Sequence, residues 1–232
     1  MIYLRNVMHI LNLLYICKQK PTPIIMKRIS LAILFALFAL ILPAQDDAIR
    51  VNYQGSKPSI SDFAWAYLSV YNYDEDGDDC LDEARNAVKQ AWINYRKGLP
   101  QDEGDNLTID EKNGYVVYES KYDDDMVRIE MCYWNESDGK HKLFAYNVAC
   151  FRNGRYDPGQ FDGLLFYRYD NATRKMTYCD TPGFEDQYAT EDGAWISYSL
   201  PRSGKDITVT TWLKDGSTQK KTLKWNGRRF TY

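Results

Sequence analysis

The clearest periodicity in the chain runs from Leu81 to Lys97, where hydrophobic residues recur every three or four positions. That spacing places them on one face of an α-helix. Asp78 and Asp79 supply a predicted N-cap, and Gly98 followed by Pro100 ends the helix. The buried face is expected to comprise Leu81, Ala84, Val88, Ala91, Trp92 and Tyr95, with Glu83, Arg85, Lys89 and Lys97 pointing outward.

After a polar segment at 101–113, the pattern changes to an alternation of period two, which is typical of strands with one buried face. Strands are predicted near 114–121, 127–133, 141–151, 163–169, 174–179, 193–200, 206–213, 218–225 and 228–232. A hydrophobic stretch at 61–71 adds a first helix. The sequence therefore predicts an α+β fold, with two N-terminal helices within about 61–98 packed on a large antiparallel up-and-down sheet of about nine strands over about 114–232, curled into a barrel or split into a sandwich.

The connections between these strands differ in length. In a simple meander, alternate connections lie at the same end of the sheet, so the long segments 152–162 and 180–192 are expected to meet there. Long loops on a rigid scaffold often carry function. Their aromatic and acidic side chains suit a sugar, or a peptide with a basic group. The candidate ligand-binding residues are Tyr156, Asp157, Phe161, Asp162, Phe184, Glu185, Asp186 and Tyr188.

The segment 26–44 has the features of a secretory signal peptide. It begins Met-Lys-Arg, continues with a hydrophobic run from Ile29 to Leu42, and ends in small residues, with a predicted cut after Ala44. The run is shorter than the ~18–20 residues that cross a bilayer. The sequence thus predicts an exported protein, periplasmic, cell-surface or secreted, whose single mature domain at 45–232 has no evident lipid anchor and no membrane span. Residues 1–25 are interpreted as an upstream extension from a mis-assigned start.

Composition limits the partners of this domain. The whole chain has 29 basic and 32 acidic residues, a formal charge of −3, and removal of five basic residues with 1–44 leaves −8. Nucleic acid is not an expected partner, because phosphate binding needs a clustered basic face. Four cysteines remain at 80, 132, 150 and 179, and their pairing is left open. Of the tryptophans, Trp134 is expected to be the most exposed, whereas Trp195, Trp212 and Trp225 are expected in the core.

An acidic segment between the two helices resembles an EF-hand calcium loop. Asn72, Asp74, Asp76, Asp78 and Glu83 match ligand positions, and a glycine follows Asp76 where the loop must turn sharply. The resemblance implies calcium as a candidate cofactor. Asparagine at the first position departs from the pattern, as do a charged residue and a cysteine at the eighth and ninth. A solvated acidic turn that caps the second helix is the alternative interpretation.

Little in the sequence indicates catalysis. His141 is the only histidine after position 44, and no nucleophile motif accompanies it. Acidic loops beside aromatic residues leave a carboxylate-based glycoside hydrolase open. The preferred hypothesis is an exported non-catalytic binding or interaction domain, with a carbohydrate or a protein or peptide ligand. A structural envelope protein with a calcium clip is the third hypothesis.

Overall fold

The computed structural model describes residues 48–70, 80–158 and 163–232. The predicted signal segment, the loop positions 72–78 and residues 161–162 lie outside these ranges. Two helices are described, α1 (Ile60–Val70) and α2 (Cys80–Lys97), together with twelve strands. The strands are β1 (Ile49–Arg50), β2 (Asp105–Asp110), β3 (Tyr115–Tyr122), β4 (Asp125–Asn135), β5 (His141–Arg152), β6 (Arg155–Tyr156), β7 (Gly163–Asp170), β8 (Lys175–Cys179), β9 (Trp195–Ser199), β10 (Ile207–Trp212), β11 (Thr218–Trp225) and β12 (Phe230–Thr231).

The strands form two antiparallel sheets. The large sheet has the order β1-β8-β7-β5-β4-β3-β2, with β6 paired to the end of β5, and the small sheet has the order β12-β11-β10-β9. Apart from the pairing of β1 with β8, and of β5 with β7 past the two-residue β6, strand neighbours follow one another along the chain, as a meander requires. The large sheet is curled like half of a barrel. These observations confirm the α+β class and correct the predicted count of about nine strands, since twelve are described, divided between two antiparallel sheets.

Two hydrophobic clusters divide the molecule into layers. One joins α1 and α2 to one face of the large sheet, through residues such as Phe63, Val88 and Phe144. The other joins the opposite face to the small sheet, where Phe166 and Phe230 meet. The large sheet is therefore covered on both faces. Strand β4 shows the consequence, since Ile129, Glu130, Met131, Cys132 and Trp134 are all buried. The expectation of one buried face per strand is wrong here.

Helix α2 follows the predicted phase at its centre. Val88, Ala91 and Trp92 are buried. At the C-terminal end, Gly98 has a φ of 66° and the amide of Leu99 donates to the carbonyl of Asn94 at 2.9 Å, which is a Schellman cap.

Two residues of α2, one expected to be buried and one expected to be exposed, differ from the prediction. Tyr95 is 53% exposed, whereas Arg85 is only 6% exposed. The guanidinium of Arg85 lies 5.3 Å from the ring centroid of Tyr67 and donates to the Tyr67 hydroxyl at 2.9 Å. A buried aromatic hydroxyl on α1 thus accommodates the charge, which periodicity alone does not reveal.

Two further expectations are corrected. The polar segment at 101–113 contains β2, whose six residues pair with β3 from Asp105 to Asp110. Trp134 is 4% exposed and donates its indole N–H to the carbonyl of Lys205 at 2.8 Å. Trp134 lies in the hydrophobic cluster between the two sheets. The sequence of β4 alone does not indicate that a second sheet covers this face.

Strand β9 is an edge strand of the small sheet, and buried polar side chains of the large sheet satisfy its backbone. The amide of Leu200, just past β9, donates to Glu130 Oε2 at 3.1 Å, and Asn147 Nδ2 donates to the carbonyl of Tyr198 at 2.9 Å. The other oxygen of Glu130 accepts from the Tyr115 hydroxyl at 2.6 Å and from Arg128 at 3.2 Å. Burial, and then the charge of Glu130, raise the pKa of Tyr115, so its hydroxyl remains a donor. This arrangement closes an exposed sheet edge that would otherwise recruit another strand.

In the described part of the chain, Cys132 and Cys179 are free thiols. Within the same ranges, neither helix combines the length and hydrophobicity needed to cross a bilayer.

Candidate functional site

The two long connections meet at one end of the large sheet, as the meander predicts. Val148 near the end of β5 pairs with Gly163 at the start of β7, and Phe166 pairs with Cys179 at the end of β8. The segments that follow β5 and β8 therefore leave the sheet at the same end. Tyr188, in the segment after β8, also lies close to the start of β7. Its hydroxyl is 3.4 Å from where a Cβ on Gly163 would be.

A hollow at this end has a volume of about 650 Å³ and is called the Trp concavity here. It lies between the β5–β6 turn and the ends of β9 and β10. Its walls are formed by Arg152, Asn153, Arg155, Tyr156, Asp157, Gly193, Trp195, Trp212 and Lys214. Aromatic rings and cationic groups thus face the same space.

The aromatic side of the Trp concavity is built by a cross-strand pair. Trp195 on β9 is directly opposite Trp212 on β10. The Trp212 indole donates to Ser197 Oγ at 2.8 Å, and its ring stacks on Tyr156 with centroids 6.3 Å apart and an interplanar angle of 29°. Phe151 supports the same ring edge-on at 6.1 Å. Trp212 is thereby fixed, whereas Trp195 remains 46% exposed and presents a free face to solvent.

The cationic side of the Trp concavity is held by Leu213 and Asp125, which do not line the hollow, and by Asp157, which does. Arg155 donates to the carbonyl of Leu213. Arg152 pairs with Asp125 at 3.0 Å and with Asp157 at 3.4 Å. These contacts orient both guanidinium groups along the walls.

Two aspartates near these walls remain ionised. The pKa of Asp192 is lowered, mainly by a hydrogen bond from Thr190 and also by the charge of Lys214. The pKa of Asp215 is lowered by hydrogen bonds from Ser217 and, to a smaller extent, by the charge of Arg155. Neither carboxylate lines the hollow.

A second hollow, of about 380 Å³, lies where the segment after β8 crosses β7 and is called the acidic groove here. Tyr178, Cys179, Asp180, Thr181, Phe184, Glu185, Asp186 and Tyr188 line it together with residues 164–166. Tyr188 donates its hydroxyl to Asp186 at 3.0 Å, and burial followed by this bond raises its pKa. Burial raises the pKa of the Cys179 thiol to about 11, so the thiol stays protonated and is a poor nucleophile.

The structure divides the predicted ligand-binding residues between the two hollows. Tyr156 and Asp157 line the Trp concavity, but Tyr156 is 4% exposed and supports Trp212 instead of offering a free ring. Phe184, Glu185, Asp186 and Tyr188 line the acidic groove. Phe184 also packs edge-on against Phe230 of β12, with ring centroids 6.0 Å apart. Phe161 and Asp162 lie outside the described residues.

The candidate calcium ligands Asn72, Asp74, Asp76 and Asp78 also lie outside the described residues. The backbone of Glu83 lies within α2, but its side chain is not among those described. The calcium interpretation therefore stays a prediction.

The sequence analysis wrongly expected Trp195 in the core, and it did not predict the cationic wall of the Trp concavity. One available signal was symmetry about a turn, because Trp195 and Trp212 are equidistant from the centre of the β9–β10 hairpin and must be cross-strand partners. Arg155 and Lys214 gave no comparable signal. Their positions depend on how the small sheet sits beside the end of β5, which local patterns do not encode.

The segment that forms the acidic groove is anchored on the last strand. The amide of Phe230 donates to the carbonyl of Pro182 at 2.8 Å, and a Cβ on Gly183 would lie 2.5 Å from the carbonyl oxygen of Phe230. We expect Gly183→Ala to lower the free energy of unfolding by more than about 2 kcal/mol, because the collision adds to the strain of a φ of 91°.

Gly204→Ala is a matched control for this substitution. Gly204 has a similar φ of 87°, but a Cβ there meets no atom within 4 Å. We expect only the conformational cost of about 1 kcal/mol at Gly204. Urea denaturation of both variants measures the difference, and equal losses would show that the close approach to β12 is absent.

One further polar cluster lies at the opposite end of the large sheet. Glu136, Asp138 and His141 each offer a ligand atom within 4.8 Å of the others. However, Arg168 donates to both carboxylate oxygens of Glu136 at 2.7 Å. The bonds of Asp138 to His141, and then to backbone amides, lower its pKa. The cluster thus ties the β4–β5 turn to β7 through a bidentate ion pair.

Comparisons with protein-family models, with curated proteins and with solved structures find no match to this chain. Function is therefore argued from the geometry of the two hollows.

Proposed function

We propose that the protein is an exported, non-catalytic carbohydrate-binding domain, and that the Trp concavity holds a sugar ring against Trp195. Export rests on the signal-like segment 26–44, and the binding role rests on the structure of the long-loop end. The single observation that carries the binding role is an indole that is 46% exposed within a concave site of about 650 Å³.

Exposure of such a large hydrophobic ring has a cost that a binding role explains. A tryptophan at a strand end gains stability when its ring is covered, as Trp134 and Trp225 are in the same protein. Trp195 instead faces an open hollow beside the fixed ring of Trp212. Paired aromatic surfaces with polar groups around them match the requirements of a sugar, which offers an apolar C–H face and a rim of hydroxyl groups.

The size of the hollow also fits a short saccharide. Pockets for small ligands have volumes of roughly 300–1,000 Å³ and combine apolar walls with a few directed polar groups. Here Asn153 and Asp157 line the hollow together with the two rings, and side chains of these types can bond hydroxyl groups. A peptide ligand is the competing possibility, and the test separates the two.

The test is a glycan array followed by calorimetric titration of a binding glycan. We expect Trp195→Ala to weaken binding by at least about tenfold, since removal of a stacking ring costs at least one to two kcal/mol. The melting temperature should stay within about 2 °C, because the ring contributes little to the core.

Two control variants locate the site. Tyr122 is 80% exposed and lines neither hollow, so Tyr122→Ala should leave affinity unchanged. Tyr188→Ala removes a ring of the acidic groove and should also leave it unchanged. Loss of binding with Tyr188→Ala and not with Trp195→Ala would place the site in the acidic groove and refute the proposal. Binding to peptides but to no glycan would refute the ligand class.

A further inference from the structure

The Trp concavity carries an excess of positive charge on its walls. Arg152, Arg155 and Lys214 line it, against the single carboxylate of Asp157. Arg152 and Asp157 form an ion pair at 3.4 Å, so their charges largely cancel. Arg155 and Lys214 remain as the charges that a ligand would meet. This local sign is opposite to that of the whole chain, whose formal charge is −3.

The two cations approach the hollow from the β10–β11 turn and from the β5–β6 turn. Lys214 lies two residues past the end of β10, and its Nζ is 3.4 Å from where a Cβ on Gly193 would be. Arg155 reaches the same turn, with one guanidinium nitrogen 3.4 Å from the corresponding position on Gly216. Both residues line the hollow together with Trp195 and Trp212.

We infer that the Trp concavity selects saccharides that carry an anionic group, and that Arg155 and Lys214 determine this specificity. The inference rests on the proposed carbohydrate-binding function and adds the ligand class. A guanidinium pairs with a carboxylate or a sulfate through two parallel hydrogen bonds, and a lysine adds a point charge. A sugar ring stacked on Trp195 would bring an acidic substituent within reach of both.

The arrangement of the carboxylates supports the inference. Asp192 and Asp215 interact with Lys214 and Arg155 electrostatically but do not line the hollow. The hydrogen bond from Arg155 to the carbonyl of Leu213 restrains its guanidinium, and a restrained side chain loses less entropy when a ligand binds.

The experiment uses the whole protein on an array with three arms. The first arm carries uronic-acid oligosaccharides, the second carries the same oligosaccharides after reduction of their carboxyl groups to alcohols, and the third carries sulfated oligosaccharides. We expect the uronic acids or the sulfated sugars to bind at least about tenfold more tightly than the reduced sugars. The difference should shrink as ionic strength rises, because the groups are exposed to solvent. The two anionic arms distinguish a carboxylate from a sulfate ligand.

Charge-neutral variants then assign the residues. Lys214→Gln and Arg155→Gln should each lower the affinity for the anionic sugar about fivefold or more, and leave the affinity for the reduced sugar unchanged. Lys224→Gln removes an exposed lysine of β11 that does not line the hollow and should change neither affinity.

The possible outcomes separate the two hypotheses. Equal binding of acidic and reduced sugars, lost in Trp195→Ala, would overturn the anionic selectivity and leave the carbohydrate-binding function intact. A preference for acidic sugars that survives both glutamine variants would overturn the assignment of Arg155 and Lys214. Absence of binding in all three arms would count against the proposed function itself.

Discussion

Replacement of Glu130 by alanine is expected to lower the free energy of unfolding by about 3–5 kcal/mol, because it removes one side of a buried charged network. Glu130 is 1% exposed and accepts hydrogen bonds from Tyr115, Arg128, Asn147 and the amide of Leu200. In the alanine variant these donors lose a common acceptor, and the backbone of the β9 edge is no longer satisfied from the large sheet. Urea denaturation followed by tryptophan fluorescence gives the measurement.

A second glutamate on the same arginine supplies the control. Glu119 accepts from Arg128 at 2.9 Å, but its side chain is 22% exposed and Arg128 is 37% exposed. We expect Glu119→Ala to cost no more than about 1 kcal/mol. Glu130→Gln, which keeps the shape and one acceptor oxygen, should fall between the two. If Glu119→Ala proved as costly as Glu130→Ala, the stabilising role of the buried carboxylate at the sheet junction would be wrong.

Introduction of a charge at Val88 is expected to prevent folding. Val88 is fully buried on α2, in the cluster that joins the helices to the large sheet. An aspartate there would place an ionised carboxylate in that cluster, and the cost exceeds the stability of an ordinary domain when no partner is available. Circular dichroism and the elution volume of the purified Val88→Asp variant test this expectation.

Gln90→Asp is the matched control, because it introduces the same charge two residues away on the exposed face of α2. Gln90 donates to the nearby Asn94 side chain at 3.0 Å in an exposed hydrogen bond, so a loss below about 1 kcal/mol is expected. Trp92→Ala, which leaves a cavity instead of a charge, should cost about 3–5 kcal/mol. A folded Val88→Asp protein would show that the phase of α2 is different from the one described.

The local sequence patterns predicted the positions of individual helices and strands well. They predicted poorly which faces of those elements are covered by other parts of the chain. Helix α2 was predictable because hydrophobic spacing, a glycine stop and a following proline all agree with one another. Arg85 was misplaced because burial of its charge depends on Tyr67 of α1, which lies elsewhere in the sequence. In the same way, alternation located β4 correctly but assigned one of its faces to solvent.

The candidate site shows the same limit. The lengths of the connections correctly placed the segments after β5 and β8 at one end of the sheet. They could not show that the small sheet turns beside this end, bringing Trp195 and Lys214 next to Arg155. A strand alternation gives the face on which a residue lies, but the partner of that face follows from long-range packing.

The pairing of β1 has a consequence for the order in which the protein can fold. Ile49 pairs with Met176 and Arg50 with Lys175, whereas the other strand pairs join segments that are close along the chain. Local hairpins close quickly, because little chain entropy is lost, and contacts between distant segments form more slowly. The first strand of the described chain therefore has no partner until the eighth has been made. A ribosome that still holds β8 also holds the large sheet open at this edge.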